Sequence, residues 1–156
     1  MKKINFIDLN RQYKNLRSEI DMSISEVIEK ANFIQGEEVK IFEQNLKEYV
    51  SANALTVANG TDALFISLRA LGIGPGDEVI TPSFTWVSTV ETIKLVGAQP
   101  IFCDISKETF NLDENLLEEL ITDKTKAIMP VSLFGRCPDL KRINEIAKKF
   151  KIFTIE

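Results

Sequence analysis

A turn that begins at Asn59 is the stretch of the chain best suited to binding chemistry. It joins an apolar run over residues 54–58 to a segment in which leucines recur at helical spacing. A strand that turns through Gly60 into a helix leaves several backbone N–H groups unpaired at the positive end of the helix dipole. Such an end suits a phosphate group. The alternative is an ordinary structural turn in which Thr61 caps the helix.

The second candidate is Trp86, the only tryptophan, which closes the segment T-P-S-F-T-W over residues 81–86. This segment leaves a predicted strand over residues 78–81, so the indole is placed at the carboxyl end of that strand. A flat indole there could stack on a planar ring and exclude water from one of its faces. The alternative is a core tryptophan that covers the sheet, which is the commoner fate of an isolated tryptophan.

Histidine is absent from the sequence, and Cys103 and Cys137 are the only cysteines. The chain therefore has no histidine-based metal site and no triad that uses a histidine base. The two cysteines lack CxxC spacing and are predicted to be reduced core residues. Any catalysis has to use carboxylates, lysine or a bound cofactor.

Residues 71–80 read L-G-I-G-P-G-D-E-V-I, and their three glycines suggest a nucleotide-binding loop. These glycines follow a helix and precede a strand, which is the wrong order for a P-loop or a dinucleotide-binding fingerprint. Gly72 suits the left-handed position that ends a helix, and Pro75-Gly76 suits a type II turn. The segment is predicted to be structural, which argues against a generic nucleotide-binding domain.

From residue 54 onward, short apolar strands alternate with helices, and the strands show no clean polar alternation. This pattern predicts an α/β fold, a three-layer α/β/α arrangement with a mostly parallel sheet covered on both faces. Residues 1–53 are predicted to form an N-terminal arm and helices: a short helix near residues 16–20, whose apolar spacing continues to about residue 31, and a second helix from about residue 37 to residue 50. The predicted strands are 54–58, 78–81, 99–103, 127–132 and 152–155, and the predicted helices after residue 54 are 61–71, 86–96, 114–121 and 139–149.

Ligands of parallel sheets bind at the carboxyl ends of the strands. Besides the turn at Asn59 and the segment before Trp86, Asp104 and the segment 132–135 fall at these ends. Asp104 is interpreted as structural, as is Asp113, which is predicted to cap the next helix.

Composition and charge indicate a globular protein and argue against nucleic-acid and membrane partners. The net charge is −4 and the pI is near 5.1, which argues against a nucleic-acid partner. The sequence is 44% hydrophobic and 27% charged, as in a globular protein. No apolar stretch approaches the ~20 residues of a membrane helix. The predicted location is the cytoplasm, without membrane association.

Several ordered segments together resemble the DegT/DnrJ/StrS family of sugar aminotransferases, which use pyridoxal phosphate on the fold type I scaffold. The resemblance runs along essentially the whole chain and corresponds to the N-terminal portion of the family. The segments that carry it are F-I-D-L (6–9), F-I-Q-G-E-E-V-K-I-F-E (33–43), A-N-G-T-D-A-L (58–64), L-G-I-G-P-G-D-E-V-I-T-P-S-F-T-W (71–86), G-A-Q-P-I-F-C-D-I (97–105), T-K-A-I-M-P-V-S-L-F-G (125–135) and I-E (155–156).

The resemblance implies roles for named residues. Gly60, Thr61 and Asp62 match the turn that holds the cofactor phosphate, mostly through backbone N–H groups. A phosphate would repel the Asp62 carboxylate, so that side chain is expected to cap the helix or point elsewhere. Trp86 matches the aromatic residue that stacks on the pyridine ring. The segment around residues 34–36 resembles a family loop near the active site and the dimer contact.

The resemblance also implies the reaction. The family transfers an amino group, usually from glutamate, to a keto group on a nucleotide-linked sugar in surface polysaccharide or amino-sugar biosynthesis, and fold type I enzymes are usually homodimers. Ser132 stands where many members have histidine, and serine there resembles the branch that acts on 3-keto sugar nucleotides.

The catalytic half of the family motif has no match in this chain. The family places an aspartate directly after the residue matching Glu156 and its cofactor-binding lysine further on, so no catalytic residue is assigned here. The chain alone is expected to be inactive and to bind pyridoxal phosphate weakly, without a covalent bond. The alternative is an inactive remnant that acts as a dimerisation or regulatory module.

Overall fold

The computed structural model describes residues 6–156 and divides into two compact units, one that ends at Thr56 and one that spans Val57–Glu156. Within this described part, no helix has both the length and the apolar character needed to cross a bilayer.

The first unit begins with a long helix, α1 (Leu9–Lys30), followed by α2 (Glu37–Val50). The Asp8 side chain caps α1 by accepting a hydrogen bond from the Arg11 N–H at 3.0 Å. Because of this cap the helix starts well before the short helix predicted near residues 16–20. The prediction had relied on apolar periodicity, which is weak in the first turns of α1.

Residues 54–58 form no strand, so the first predicted strand is wrong. The Thr56 N–H and the Thr56 hydroxyl both donate to Oε1 of Glu43 at 2.7 Å, which lowers the pKa of that carboxyl. An extended apolar segment becomes a strand only when a neighbouring strand pairs with its backbone groups. Among the described residues this segment has no such neighbour.

The second unit contains a four-stranded sheet whose strands all run parallel in the order β2-β1-β3-β4. The strands are β1 (Glu78–Pro82), β2 (Gln99–Cys103), β3 (Thr125–Ile128) and β4 (Phe153–Thr154). The prediction of a mostly parallel sheet is confirmed. β3 ends before the predicted residue 132; Pro130 follows closely and has no N–H with which to extend the ladder.

Helices cover both faces of the sheet, as predicted for three layers. They are α3 (Gly60–Ala70), α4 (Val87–Leu95), α5 (Leu117–Leu120) and α6 (Leu140–Phe150). Val79 and Ile80 are adjacent in β1 but belong to different core clusters, because successive strand residues point to opposite faces. Leu68 of α3 is buried in the cluster of Val79, and Ile143 of α6 in the cluster of Ile80.

The two cysteines differ in burial. Cys103 is a free thiol in the cluster of Ile80, as predicted for a core residue, whereas Cys137 is a free thiol that is exposed, so its predicted place in the core is wrong. Cys137 directly precedes Pro138 in the connection that leads to α6, outside the strands and helices that form the core.

The glycine-rich connection from α3 to β1 is structural, as predicted. Gly72 has φ +74° and Gly76 has φ +92°, both in the left-handed region. The Asp77 N–H donates to the Gly74 carbonyl at 3.1 Å, which closes the turn around Pro75-Gly76.

We expect Gly97→Ala to destabilise the fold more than Gly76→Ala. Gly97 has φ +84°, and a Cβ there would lie 2.9 Å from Cγ of Pro75. At Gly76 a Cβ would meet nothing within 4 Å, so only the left-handed strain of about 1–2 kcal/mol applies. Denaturant titration of both variants measures the difference. Equal losses would show that the Pro75 ring moves aside.

A charged cluster joins α5 to α6. Nζ of Lys149 lies 2.5 Å from Oε2 of Glu118, and Nη2 of Arg142 lies 3.4 Å from Oε1. The hydrogen bond from Lys149 is the main cause that lowers the pKa of Glu118, and the charges of Lys149 and Arg142 add to it.

This cluster makes stability depend on pH in the acid range. Because the folded pKa of Glu118 is depressed, its contribution is present above the unfolded value of ~4.3 and is lost as pH falls through the folded value. We expect Glu118→Gln to have a lower free energy of unfolding than the wild type at neutral pH. This difference, measured by denaturant titration, should disappear in acid. Glu119→Gln on the same helix is the control. A difference in stability between Glu118→Gln and the wild type that persists in acid would show that the effect does not come from the charge of Glu118.

Candidate functional site

The amino end of α3 is formed by a capped turn. Asn59 is the N-cap, in an extended conformation with φ −165° and ψ 174°. Its Oδ1 accepts a hydrogen bond from the Asp62 N–H at 2.9 Å, and its carbonyl accepts from the Ala63 N–H at 3.1 Å. The alternative prediction that Thr61 caps the helix is therefore wrong. The asparagine side chain reaches the third amide of the helix, as caps do.

Two amides of this turn remain available. The N–H groups of Gly60 and Thr61 have no acceptor within residues 6–156. A Cβ at Gly60 would meet nothing within 4 Å, so the space beside that residue is open. The Asp62 amide is occupied by Asn59, so only two of the three residues predicted to hold the phosphate present a free N–H.

The Asp62 carboxylate is tied back to the cap. Its Oδ2 accepts a hydrogen bond from Nδ2 of Asn59 at 3.0 Å, so the two side chains bond to each other and Asp62 also donates its amide to Asn59. This arrangement occupies one carboxylate oxygen of a residue that would otherwise repel an anion at the helix end.

Trp86 is exposed at the start of α4. It is the N-cap residue of that helix, and its carbonyl accepts a hydrogen bond from the Thr89 N–H at 3.1 Å. Its side chain is 75% exposed, so the alternative of a core tryptophan is wrong. The Thr61 hydroxyl donates to Oγ of Ser88 at 3.4 Å, and this contact places the starts of α3 and α4 side by side. The indole and the free amides thus belong to the same edge of the sheet.

A second polar pair lies at this carboxyl edge. The Ser132 hydroxyl donates a hydrogen bond to the Glu156 carboxylate. Ser132 follows β3 and Glu156 follows β4, which are neighbouring parallel strands. Sequence reasoning placed Ser132 at the rim but missed this link. The signal was available in the sequence, because both residues come shortly after strands predicted to be parallel.

The two aspartates that were interpreted as structural have local partners. Asp113 caps the following turn by accepting from the Asn115 N–H at 3.0 Å, which confirms its predicted role. Oδ1 of Asp104 accepts from the Ile105 N–H at 2.8 Å.

Residues 14–156 match the DegT/DnrJ/EryC1/StrS aminotransferase family. The chain belongs to this family. The match covers both units apart from the first residues of α1, and it confirms the resemblance that the segments from residue 33 to residue 156 indicated.

Two of the curated relatives have names that describe amino transfer on a nucleotide-linked sugar. The chain is 51% identical over 154 residues to a UDP-2-acetamido-2-deoxy-3-oxo-D-glucuronate aminotransferase of Pseudomonas aeruginosa, covering 98% of this chain and 43% of the relative. It is 41% identical over 154 residues to a dTDP-3-amino-3,6-dideoxy-alpha-D-galactopyranose transaminase of Aneurinibacillus thermoaerophilus, covering 98% and 42%. The chain thus spans about two fifths of the length of these relatives.

Solved structures agree with the family assignment. Streptomyces venezuelae DesV superposes with a TM-score of 0.96 at 34% identity, over 99% of this chain and 42% of that one. NtdA of Bacillus subtilis, solved with bound cofactor PMP, gives a TM-score of 0.94 at 35% identity, over 100% and 36%. These neighbours have the fold type I scaffold of pyridoxal-phosphate enzymes, and the present chain corresponds to part of its large domain.

The residues at the edge of the sheet fit this cofactor. A phosphate needs hydrogen-bond donors in open space, and Gly60 and Thr61 supply two free amides there. A pyridine ring needs a flat apolar surface, and Trp86 supplies an exposed indole.

Proposed function

We propose that this chain is the N-terminal, cofactor-binding part of an enzyme that transfers an amino group to the keto group of a nucleotide-linked sugar. The observation that supports it best is the pair of free amides at Gly60 and Thr61, joined through the Thr61–Ser88 contact to the helix that Trp86 begins. Pyridoxal phosphate supplies the electron sink that amino transfer requires.

The chain's own residues would bind and orient this cofactor. The amides of Gly60 and Thr61 hold the phosphate at the positive end of α3. Trp86 lies against one face of the ring and excludes water from it. Asn59 keeps the turn rigid by bonding both the amide and the carboxylate of Asp62. Asp62 then contributes to the site through the geometry of the turn rather than through a free amide.

The proposed substrate is a 3-keto sugar nucleotide, with glutamate as the amino donor. Both relatives named above carry an oxo or amino group at carbon 3 in their names, and Ser132 stands where the resemblance indicated the same branch. The proposed setting is amino-sugar or surface polysaccharide synthesis in the cytoplasm. A homodimer is supported by apolar side chains exposed on α1 and α2, among them Met22, Ile28 and Tyr49.

Binding of the cofactor and transfer of the amino group depend on different residues of the enzyme. Binding and orientation of the cofactor are assigned to residues of this chain, whereas the lysine that bonds to the cofactor matches none of its lysines. We therefore expect residues 1–156 alone to bind the cofactor without a covalent bond and to catalyse no transfer.

Titration with pyridoxamine phosphate tests the binding site directly. This form of the cofactor has no aldehyde, so it cannot react with surface lysines. Trp86 is the only tryptophan, and its emission reports on the proposed site alone. We expect saturable quenching by pyridoxamine phosphate and binding of pyridoxamine that is weaker by about tenfold or more, since hydrogen bonds to charged groups contribute about 1.5–3 kcal/mol.

Three results would contradict the proposal. Equal quenching of Trp86 by pyridoxamine and by its phosphate would show that the α3 amides do not bind the phosphate. Quenching that does not saturate would show that there is no specific binding site. A stable adduct at one specific lysine after treatment with pyridoxal phosphate and borohydride would contradict the assignment of non-covalent binding.

A further inference from the structure

Thr89, in the first turn of α4, bonds to both residues that lead into this helix. Its hydroxyl lies 3.0 Å from the hydroxyl of Thr85, and either oxygen can donate the hydrogen bond between them. Its N–H donates to the Trp86 carbonyl at 3.1 Å. Thr85 and Trp86 are the last two residues before α4 begins at Val87. Thr89 therefore contacts the backbone of the candidate stacking residue and also the side chain that precedes it.

The hydroxyl of Thr89 bonds differently from that of Thr92, another threonine of α4. A threonine in a helix often donates its hydroxyl to a carbonyl of the preceding turn. Thr92 does so, because its hydroxyl donates to the Ser88 carbonyl at 2.9 Å and to the Thr89 carbonyl at 3.2 Å. The Thr89 hydroxyl instead bonds to the side chain of Thr85, which lies outside the helix. It thus links α4 to the segment before it.

The hydrogen bond between Thr85 and Thr89 is shielded from water on the side of the helix. Thr89 is only 5% exposed, and Thr85 is half-buried. A shielded hydrogen bond is stronger than one in water, and the loss of one partner leaves the other hydroxyl unsatisfied. The removal of either hydroxyl is therefore expected to loosen the link between α4 and the segment before it.

Trp86 has little other support from the residues around it. It is the N-cap of α4 in an extended conformation, with φ −70° and ψ 142°, and its side chain makes no capping hydrogen bond. The indole is 75% exposed and has no aromatic partner within residues 6–156. The direction of the indole therefore depends on the backbone that carries it, and Thr89 bonds to that backbone.

We propose that Thr89 is a positioning residue for Trp86, which holds the indole at the angle needed for stacking through its hydrogen bonds to Thr85 and to the Trp86 carbonyl. This inference rests on the proposed function, which assigns the ring of the cofactor to Trp86. Thr89 is buried and acts through Trp86 rather than by touching the ligand. A stacking partner that is already ordered loses less conformational entropy on binding, so the affinity for a ring depends on Thr89.

Time-resolved fluorescence anisotropy of the full chain tests this role without any ligand. Trp86 is the only tryptophan, so the decay reports the nanosecond motion of this indole alone. We expect Thr89→Val, which keeps the branched shape but removes the hydroxyl, to increase the amplitude of this motion. Thr89→Ser keeps the hydroxyl and should stay close to the wild type. Thr92→Val is the matched control, because it removes a buried hydroxyl that bonds only to carbonyls of α4.

Binding of pyridoxamine phosphate gives a second measurement. Thr89→Val should weaken it about threefold to tenfold, as expected for the loss of one hydrogen bond. Competition by inorganic phosphate should be unchanged, because phosphate has no ring and is assigned to the amides of α3. A general disruption of the site would weaken both ligands, and this result would overturn the positioning role.

Thr85→Val removes the other half of the hydroxyl pair. It should reproduce the effects of Thr89→Val, and it replaces that variant if the loss of the buried hydroxyl lowers the melting temperature. The double variant should bind pyridoxamine phosphate no more weakly than either single variant, because the two hydroxyls share one hydrogen bond. Losses that add in the double variant would show that the two threonines act independently, contrary to the inference.

The outcomes separate this inference from the proposed function. Unchanged indole motion in Thr89→Val and Thr85→Val, or an equal increase in Thr92→Val, would overturn the positioning role while saturable quenching of the wild type still supported the cofactor site. If pyridoxamine phosphate fails to quench the wild type but Thr89→Val still increases the motion of the indole, the cofactor assignment fails and the control of Trp86 by Thr89 is retained.

Discussion

We expect Gly60→Pro to weaken binding of pyridoxamine phosphate by about tenfold or more while the fold is retained. Proline has no N–H, so the variant deletes one of the two free amides at the end of α3. Proline is well tolerated at the first helical position, and the extended Asn59 before it has a conformation that proline accepts. A lost hydrogen bond to a charged group corresponds to about 1.5–3 kcal/mol, which gives this fold-change. Trp86 quenching measures it.

Gly60→Ala is the matched control for this experiment. It keeps the N–H and adds a Cβ that meets no protein atom within 4 Å. We expect its affinity for pyridoxamine phosphate to stay much closer to that of the wild type than to that of Gly60→Pro. If both variants bind as the wild type does, the amide of Gly60 is not a phosphate ligand. If Gly60→Ala weakens binding as much as Gly60→Pro, the ligand requires the open space at Gly60 rather than its N–H group.

Leu68→Ala lowers the free energy of unfolding by about 2–5 kcal/mol, which is the cost of a large-to-small change in a core that cannot fully collapse. Leu68 is fully buried between α3 and the sheet, in the cluster that also contains Val79 and Ile93. Denaturant titration measures the loss through the shift in the midpoint at constant slope.

Ile66→Ala on the same helix is the control for this loss. Ile66 is 44% exposed and lies outside the core clusters, so we expect a much smaller change. Both variants lose side-chain bulk and gain the same helix former, which leaves burial as the difference between them. Similar losses in the two variants would mean that α3 does not pack on the sheet through Leu68.

The alternation of strands and helices after residue 59 could be predicted from the sequence because each strand and helix has a local pattern of residue types. The strands at 78 and 99 are apolar runs bounded by turn residues, and α3 and α6 show helical spacing. Gly72 and Pro75-Gly76 have backbone preferences that belong to the residues themselves. These features depend on near neighbours in the chain, so sequence reasoning located them correctly.

The errors concern hydrogen-bond partners, one distant in the chain and one near, that the sequence pattern does not specify. Residues 54–58 have the composition of a strand, yet the Thr56 amide bonds to Glu43 across 13 positions of sequence. The occupied amide of Asp62 depends on which way the Asn59 side chain turns. Neither hydrogen bond can be predicted from the spacing of apolar residues. The early start of α1 was missed for a different reason, since a single capping residue, Asp8, outweighed a weak apolar pattern.

The sequence by itself determined the family, the α/β class and the two segments suited to a cofactor, because composition, turn residues and ordered motifs are local properties of the chain. The tertiary structure alone decided which groups meet. It left the amides of Gly60 and Thr61 free, exposed Trp86 at the start of α4 and brought the rings of Phe84, Phe110 and Phe134 together from three loops. The physical reason is that a parallel sheet brings the carboxyl ends of its strands to one edge, and only packing between distant segments selects the side chains that remain open there.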